Sequence, residues 1–229
     1  MKPANRNSGF SIIELLITMT VMLIALGIVS NLMARAMSIR ARESATADAL
    51  ATARAAISVM SREISNSGFG IYQPGTRKAS NGIVASESDD HRIRVLSNID
   101  NSGGTFQAQG PTTLQINRPG EDVTYFFDDA TQSIVRYDPH GLETSPGVFA
   151  GKTSVVVNKI SNVTFEYFDY EGGTSQATGP LTAPNENTAR VRITVDVELD
   201  QVYGQRNTEH VTFASDVTFR NNNYMLSQY

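Results

Sequence analysis

One acidic side chain lies inside the first apolar segment of the chain. Residues 10–29 are uncharged except for Glu14, and they supply the roughly 20 residues that a helix needs to cross a bilayer. A carboxylate in such a segment costs roughly 2.5–3.5 kcal/mol on insertion scales, unless it reaches the headgroups or finds a partner. Pairing with a cation lowers the cost of an isolated charge in a low dielectric. Glu14 is therefore the first candidate functional residue.

The side chains that usually carry catalysis are not clustered along the sequence. His91, His140 and His210 are far apart, and none stands at metal-ligand spacing from another. There is no Walker loop, no nucleophile elbow and no His-Glu-x-x-His run. Without cysteine, the chain has no disulfide and no thiolate metal site. We therefore expect a protein that is not an enzyme and that needs no cofactor.

Calcium is the one ion that the sequence leaves open. Residues 98–103 loosely match the first half of an EF-hand loop, but the twelfth position is Gln109, where a bidentate glutamate is needed. Polar turns between strands explain Asp100, Asp128 and Asp129 better than ligation does. These three aspartates are kept as weak calcium candidates, and no other metal ligand is expected.

Composition and charge limit the functional classes. The chain carries 23 acidic and 19 basic residues, for a formal net charge of −4. A chain that is not basic is poorly suited to binding duplex nucleic acid through its phosphates, so no nucleic-acid partner is expected. The length of 229 residues and the 40% of hydrophobic residues suggest one membrane helix plus one globular domain with a normal core.

The N-terminus resembles the type IV pilin and pseudopilin class. A short basic leader ends at Gly9 and is followed by Phe10-Ser-Ile-Ile-Glu14 and the apolar helix. This resemblance implies cleavage after Gly9 by a prepilin peptidase and N-methylation of the new amino terminus on Phe10. It also implies that Glu14, the fifth residue of the mature chain, pairs with the ammonium group of Phe10 of a subunit during assembly.

The same resemblance implies the partners and the location. The partners would be the prepilin peptidase, other major and minor pilins or pseudopilins, and an inner-membrane assembly platform. Lys2 and Arg6 precede the span, and positive charge there favours a cytoplasmic N-terminus with the domain exported. The chain would be a single-pass protein of the bacterial inner membrane, and later part of a pilus at the cell surface or of a periplasmic pseudopilus.

The apolar segment is expected to continue as one long helix. Residues 31–66 contain no proline or glycine and are rich in alanine, the best helix former. Gly68 and Gly70 then end the pattern. We predict a helix from Phe10 to about Asn66 whose first half spans a membrane or lines a filament core and whose second half packs on the domain.

Strand patterns dominate the rest of the chain. Residues 91–96, 112–116, 163–170, 190–199 and 209–219 are each predicted to form a strand, and residues 123–137 a hairpin with an acidic turn. Residues 172–187 are predicted to form a long polar loop, and residues 82–85 a possible short strand. Because alternate side chains point outward, Phe126 or Phe168 is expected to face a neighbouring subunit.

These patterns together predict an α+β fold, with one long N-terminal helix laid against an antiparallel β-sheet. The expected division is a leader at 1–9, a transmembrane or filament-core helix at 10–30, its continuation at 31–70 and the globular domain at 71–229.

Residues 60–70 resemble the segment that ends the helix in PilW-type minor pilins, and similar arrangements occur in J-type pseudopilins. The absence of proline from the helix favours a minor component over a main filament subunit. A minor pilin that takes part in pilus assembly or priming is the leading hypothesis. The alternatives are a J-type pseudopilin of a type II secretion system and a pilus-tip adhesin or DNA-uptake subunit.

Overall fold

The computed structural model describes residues 10–72, 78–100, 116–170, 178–199 and 210–222. The described chain contains one long helix, α1 (Ile12–Ser65), a 3₁₀ turn (Ala85–Glu87) and eight strands. The strands are β1 (Arg92–Leu96), β2 (Asp122–Asp128), β3 (Ser133–Ser145), β4 (Val148–Asn158), β5 (Asn162–Asp169), β6 (Thr178–Leu181), β7 (Thr188–Glu198) and β8 (His210–Thr218).

Helix α1 begins and ends where the sequence provides local signals. The Ser11 hydroxyl accepts a hydrogen bond from the Ile13 amide at 3.4 Å, which satisfies one of the free N–H groups of the first turn. The 54 residues of α1 correspond to a length of roughly 81 Å. After Asn66 the chain turns at Gly68, whose φ is +79°. A Cβ there would lie 2.1 Å from the carbonyl oxygen of Ser80, so only glycine fits.

The strands form two antiparallel sheets. The first sheet has the order β1-β2-β3-β4, and the second has the order β6-β5-β7-β8. The α+β prediction with one long N-terminal helix is confirmed, but the single sheet that the sequence suggested is two sheets. The change occurs after β4, where Lys159 adopts a φ of +60° and the Ile160 amide donates to the Gln132 carbonyl at 3.0 Å. This turn leads the chain into β5, which pairs with β6 and β7 instead of continuing beside β4.

The strand predictions are confirmed where alternation is clear. In β7, Val191, Ile193, Val195 and Val197 are buried on one face, and the hairpin of β2 and β3 turns at residues 129–132. The polar loop predicted for 172–187 is wrong in part, because Thr178–Leu181 forms β6 on the edge of β5. The possible strand at 82–85 is reduced to a single bridge between Ile83 and Val95. Most of the strand predicted at 112–116 lies outside the described residues.

The core lies between the second half of α1 and the inner faces of the two sheets. Helix α1 packs on β4, β7 and β8. Its buried side chains lie in the last third of the helix, and they are small where this packing begins and larger toward the helix end: Ala49, Ala53, Ala56, Ile57, Met60 and Ile64. The largest buried side chains of the sheets are Tyr125, Phe165 and Tyr167. The domain is therefore built around the last third of the helix, and the first two thirds extend away from it.

Candidate functional site: the N-terminal helix and its attachment to the domain

The N-terminal half of α1 makes no contact that buries it. Residues 12–37 are exposed throughout, although most of them are large and apolar. The helix is long and apolar enough to cross a membrane, and its most apolar 18-residue window has no buried residue. A core helix of similar composition would be buried against its own domain. The segment is therefore available to lipid or to other apolar helices.

The predicted processing and assembly residues lie at the start of this exposed segment. Gly9 and the leader fall outside the described residues. Phe10 is 79% exposed, and Glu14 lies in the first turn of α1, where its amide donates to the Ser11 carbonyl at 3.0 Å. Within the described part of the chain, Glu14 has no ion-pair partner. The cation predicted for this carboxylate is the ammonium group on Phe10 of a neighbouring subunit, and this role of Glu14 in assembly stays a prediction.

The other end of α1 is fixed to the first sheet by a charged cluster. The Tyr125 hydroxyl donates to Oε2 of Glu63 at 2.6 Å, and Nε of Arg136 donates to the same oxygen at 2.9 Å. Nη2 of Arg136 also donates to Asp138 at 3.2 Å. We call Glu63, Tyr125, Arg136 and Asp138 the helix-end cluster. Burial, and next the nearby Glu63 carboxylate, raise the pKa of Tyr125 well above its usual range, so its hydroxyl stays protonated as a donor.

The end of α1 is also held by the segment that follows β8. The Arg220 amide donates to the Ser65 carbonyl at 3.2 Å, and the Asn221 side-chain amide donates to the carbonyls of Asn66 and Ser67 at 3.2 and 3.1 Å. These bonds satisfy carbonyl groups that a helix C-terminus otherwise leaves without partners. The end of α1 is therefore attached both to the first sheet and to the segment that follows β8.

The sequence singled out residues 60–70 but not the partners of Glu63. Arg136 and Tyr125 lie 73 and 62 residues further along the chain. No local pattern links positions so far apart. The signal that could have found the cluster is an acidic residue, Glu63, directly before the buried Ile64 and one turn beyond the buried Met60.

The three weak calcium candidates are not brought together. Asp100 forms an ion pair with Arg118 at 3.3 Å, near the start of β2. Asp128 and Asp129 lie at the other end of β2, where Asp128 accepts hydrogen bonds from the Ala130 amide at 3.3 Å and the Thr131 hydroxyl at 2.6 Å. A seven-residue strand separates the two ends by roughly 20 Å. Asp128 therefore caps a turn, and Gln109 of the EF-hand comparison lies outside the described residues.

The histidines are far apart, and one lies beside two acidic residues. Asp89, Asp90 and His91 offer ligand atoms within 4.8 Å of one another. Asp90 accepts from the His91 ring at 2.8 Å, and Asp89 accepts from the His91 amide at 2.8 Å. These hydrogen bonds explain why the three side chains lie close together: they belong to the turn that precedes β1. The sequence did not place His91 in a cluster with the two aspartates.

Of the two rings predicted to be open to a neighbouring subunit, Phe126 or Phe168, the structure covers Phe168, and Phe126 stays a prediction. Phe168 is buried because the guanidinium groups of Arg190 and Arg192 lie 4.1 and 5.3 Å from its ring centre. Stacking of arginine on an aromatic face shields the ring from water. Phe126 is half-buried on the outer face of the first sheet. Alternation gave the face of each ring correctly, but it could not show that long polar side chains cover that face.

Comparison with known proteins assigns only the N-terminal segment. Residues 4–30 match the family model described as the prokaryotic N-terminal methylation motif. Neither the curated proteins nor the solved structures include a match to the chain. The matched segment contains Gly9, Phe10 and Glu14, and it joins the exposed apolar half of α1. The chain thus carries a prokaryotic N-terminal methylation motif at 4–30, consistent with the type IV pilin-like class.

Proposed function

We propose that the chain is a minor type IV pilin, similar to the PilW-type group, that is processed by prepilin peptidase and takes part in pilus assembly or priming. The observation that carries the proposal is the division of α1: an exposed apolar half that follows a methylation motif, and a second half packed into a domain. A subunit that passes from a membrane into a filament needs both parts, because lipid and then neighbouring helices must cover the apolar half.

Processing would remove residues 1–9 and leave an ammonium group on Phe10. Glu14 would accept that cation from a neighbouring subunit, which replaces two separately desolvated charges with a pair. The helix-end cluster would keep the exported domain at a fixed position relative to its helix. Neighbouring subunits would then meet defined domain surfaces once their helices are in register.

The absence of proline from the helix supports a minor subunit. Helix α1 is continuous from Ile12 to Ser65, and no proline lies within these bounds. A proline would remove one backbone hydrogen bond and locally weaken the helix. A J-type pseudopilin of a type II secretion system has the same processing chemistry and is the second candidate.

Deletion in the native strain separates the two machines. Surface filaments and the secreted proteome are scored side by side, with complementation by the intact chain as the control. Loss of filaments with normal secretion is the expected result. Normal filaments with exoproteins retained in the cell would assign the chain to a secretion pseudopilus and overturn the pilus proposal.

A further inference from the structure

Three arginines follow the apolar first half of α1 directly and lie on two of its faces. Residues 15–34 contain no charged side chain, and Arg35, Arg40 and Arg42 follow within the next eight residues. We call these three residues the arginine collar. The 20 uncharged residues span roughly 30 Å as a helix, which matches the hydrocarbon thickness of a bilayer. The collar therefore begins at the depth where hydrocarbon gives way to headgroups.

The shape of the collar suits a surrounding layer of lipid. Arg35 and Arg42 are seven residues apart and share one helix face, whereas Arg40 lies about 140° around the axis from Arg35. All three side chains are exposed. The collar is roughly 10 Å tall, close to the thickness of one headgroup layer. A single partner helix would contact only one side of such an arrangement, whereas lipids contact every side.

Two of the three arginines in the collar carry positive charge that the described part of the chain does not neutralise. Arg35 and Arg40 form no ion pair with any described residue. The sequence has no acidic residue between Glu14 and Glu43. A guanidinium group presents a planar set of donors that matches two oxygens of a phosphate group. The ligand chemistry that fits is therefore a phosphate monoanion at the membrane surface.

The position of the collar conflicts with the usual charge rule for membrane proteins. Short flanking segments with more arginine and lysine normally stay in the cytoplasm. Here the collar has three arginines on the domain side, whereas the leader has Lys2 and Arg6 and would be removed by processing. An exported domain with this collar at its base calls for a compensating interaction on the exported side.

We propose that the arginine collar binds the phosphate groups of anionic phospholipids in the leaflet next to the domain. This contact fixes the depth of α1 in the membrane before the subunit is taken into a filament. The inference rests on the proposed function to the extent that the chain is anchored in a membrane with its domain exported. Extraction of the subunit must then break the collar's lipid contacts.

The test compares two double variants of the full chain in vesicles. R35Q/R40Q removes two collar charges, and the control R54Q/R62Q removes two exposed charges further along the same helix. Arg54 lies roughly 30 Å beyond the end of the uncharged stretch. Each protein is reconstituted into phosphatidylcholine vesicles that contain spin-labelled phosphatidylglycerol or, in parallel, spin-labelled phosphatidylcholine. The immobilised fraction of each label gives the preference for the anionic lipid. The leader's charges contribute equally to all three proteins.

The wild-type chain and R54Q/R62Q are expected to prefer phosphatidylglycerol. R35Q/R40Q should lose at least about fivefold of that preference, the effect expected for one arginine near an anionic surface. The preference should also weaken at high salt, where the screening length falls to about 3 Å at 1 M.

An unchanged preference in R35Q/R40Q would overturn the proposal. Chemical cross-linking between reconstituted subunits is measured on the same samples. If R35Q/R40Q kept the lipid preference but reduced this cross-linking, the collar would bind protein, and the lipid proposal would be overturned. Flotation of the reconstituted vesicles distinguishes a failure of membrane anchoring from a failure of the lipid preference alone. A chain that does not float with the vesicles would overturn the membrane anchoring on which both proposals rest, whereas a chain that floats without lipid preference would overturn this inference alone.

Discussion

Replacing Glu63 with alanine is expected to loosen the attachment of α1 to the first sheet. The substitution removes the acceptor of two hydrogen bonds, from Tyr125 at 2.6 Å and from Arg136 at 2.9 Å. Hydrogen bonds to a charged group contribute about 1.5–3 kcal/mol each when buried. The side chains of Glu63 and Arg136 are 28% and 18% exposed, so water compensates part of the loss. Arg136 also keeps Asp138 at 3.2 Å. We therefore expect E63A to lower the free energy of unfolding by about 2–3 kcal/mol.

The assay is urea unfolding of the full chain in a non-ionic detergent, followed by the near-ultraviolet circular dichroism of its eight tyrosines. The matched control is E43A, which makes the same change at an exposed position of the same helix. Both variants gain the same helix propensity, so the difference between them reports the lost contacts. E43A should stay within about 0.5 kcal/mol of the wild type.

A double-mutant cycle of E63A and R136A tests the pairing itself. The coupling free energy should be about 1–2 kcal/mol, because the two groups share a partly buried ion pair. Coupling below about 0.5 kcal/mol, or an E63A effect equal to that of E43A, would refute the helix-end cluster as a stabilising contact.

Three further outcomes are expected. Burial raises the pKa of Tyr125 and Tyr167 above the ordinary 10.0, so only the unfolded chain ionises at these tyrosines as pH rises. Their contribution to stability should be constant below about pH 9 and should fall above pH 10, with a slope that approaches roughly 1.4 kcal/mol per pH unit for each tyrosine. A flat stability curve from pH 10 to pH 11 in the urea assay would contradict this burial. G68A should destabilise the domain by at least about 2 kcal/mol, because its Cβ would lie 2.1 Å from the Ser80 carbonyl oxygen. The control G27A, at a helix position with open space, should be neutral or slightly stabilising. Equal unfolding midpoints for the two variants would be inconsistent with the turn at Gly68. E14A should be cleaved normally by prepilin peptidase yet enter filaments poorly in a pull-down of sheared pili, and normal incorporation would show that Glu14 has no role in assembly.

The elements that could be predicted are those whose pattern is local. Strand β7 alternates over Val191, Ile193, Val195 and Val197, and the alanine-rich run without proline marked α1 to within two residues at each end. Burial of one face needs a fixed period, so these elements are visible in the sequence alone.

The arrangement of the strands depends on distant contacts that no local pattern encodes. The turn at Lys159 moves the chain from one sheet to the other, although valines continue up to it in β4. Strand β6 forms by backbone pairing with β5, which requires no alternation of side chains. Alternation along β5 correctly placed the Phe168 ring on the outer face of the sheet. The burial of that ring, however, depends on Arg190 and Arg192 of the neighbouring strand β7.

The candidate site divides in the same way. Phe10 and Glu14 belong to a short continuous motif, and the match at 4–30 includes both. The helix-end cluster joins positions 63, 125 and 136, which become neighbours only after folding. The arginine collar lies between these two regions, and its significance comes from its depth relative to the apolar half of the helix.

The most direct test of the account is the mature N-terminus of the protein made together with a prepilin peptidase. Mass spectrometry of the N-terminal peptide is predicted to show a chain that starts at Phe10 and carries one methyl group on its amino nitrogen. A chain without the peptidase should keep residues 1–9. Cleavage beyond the apolar segment, or an uncut leader in the presence of an active peptidase, would contradict the proposal that this chain is a pilin-like precursor.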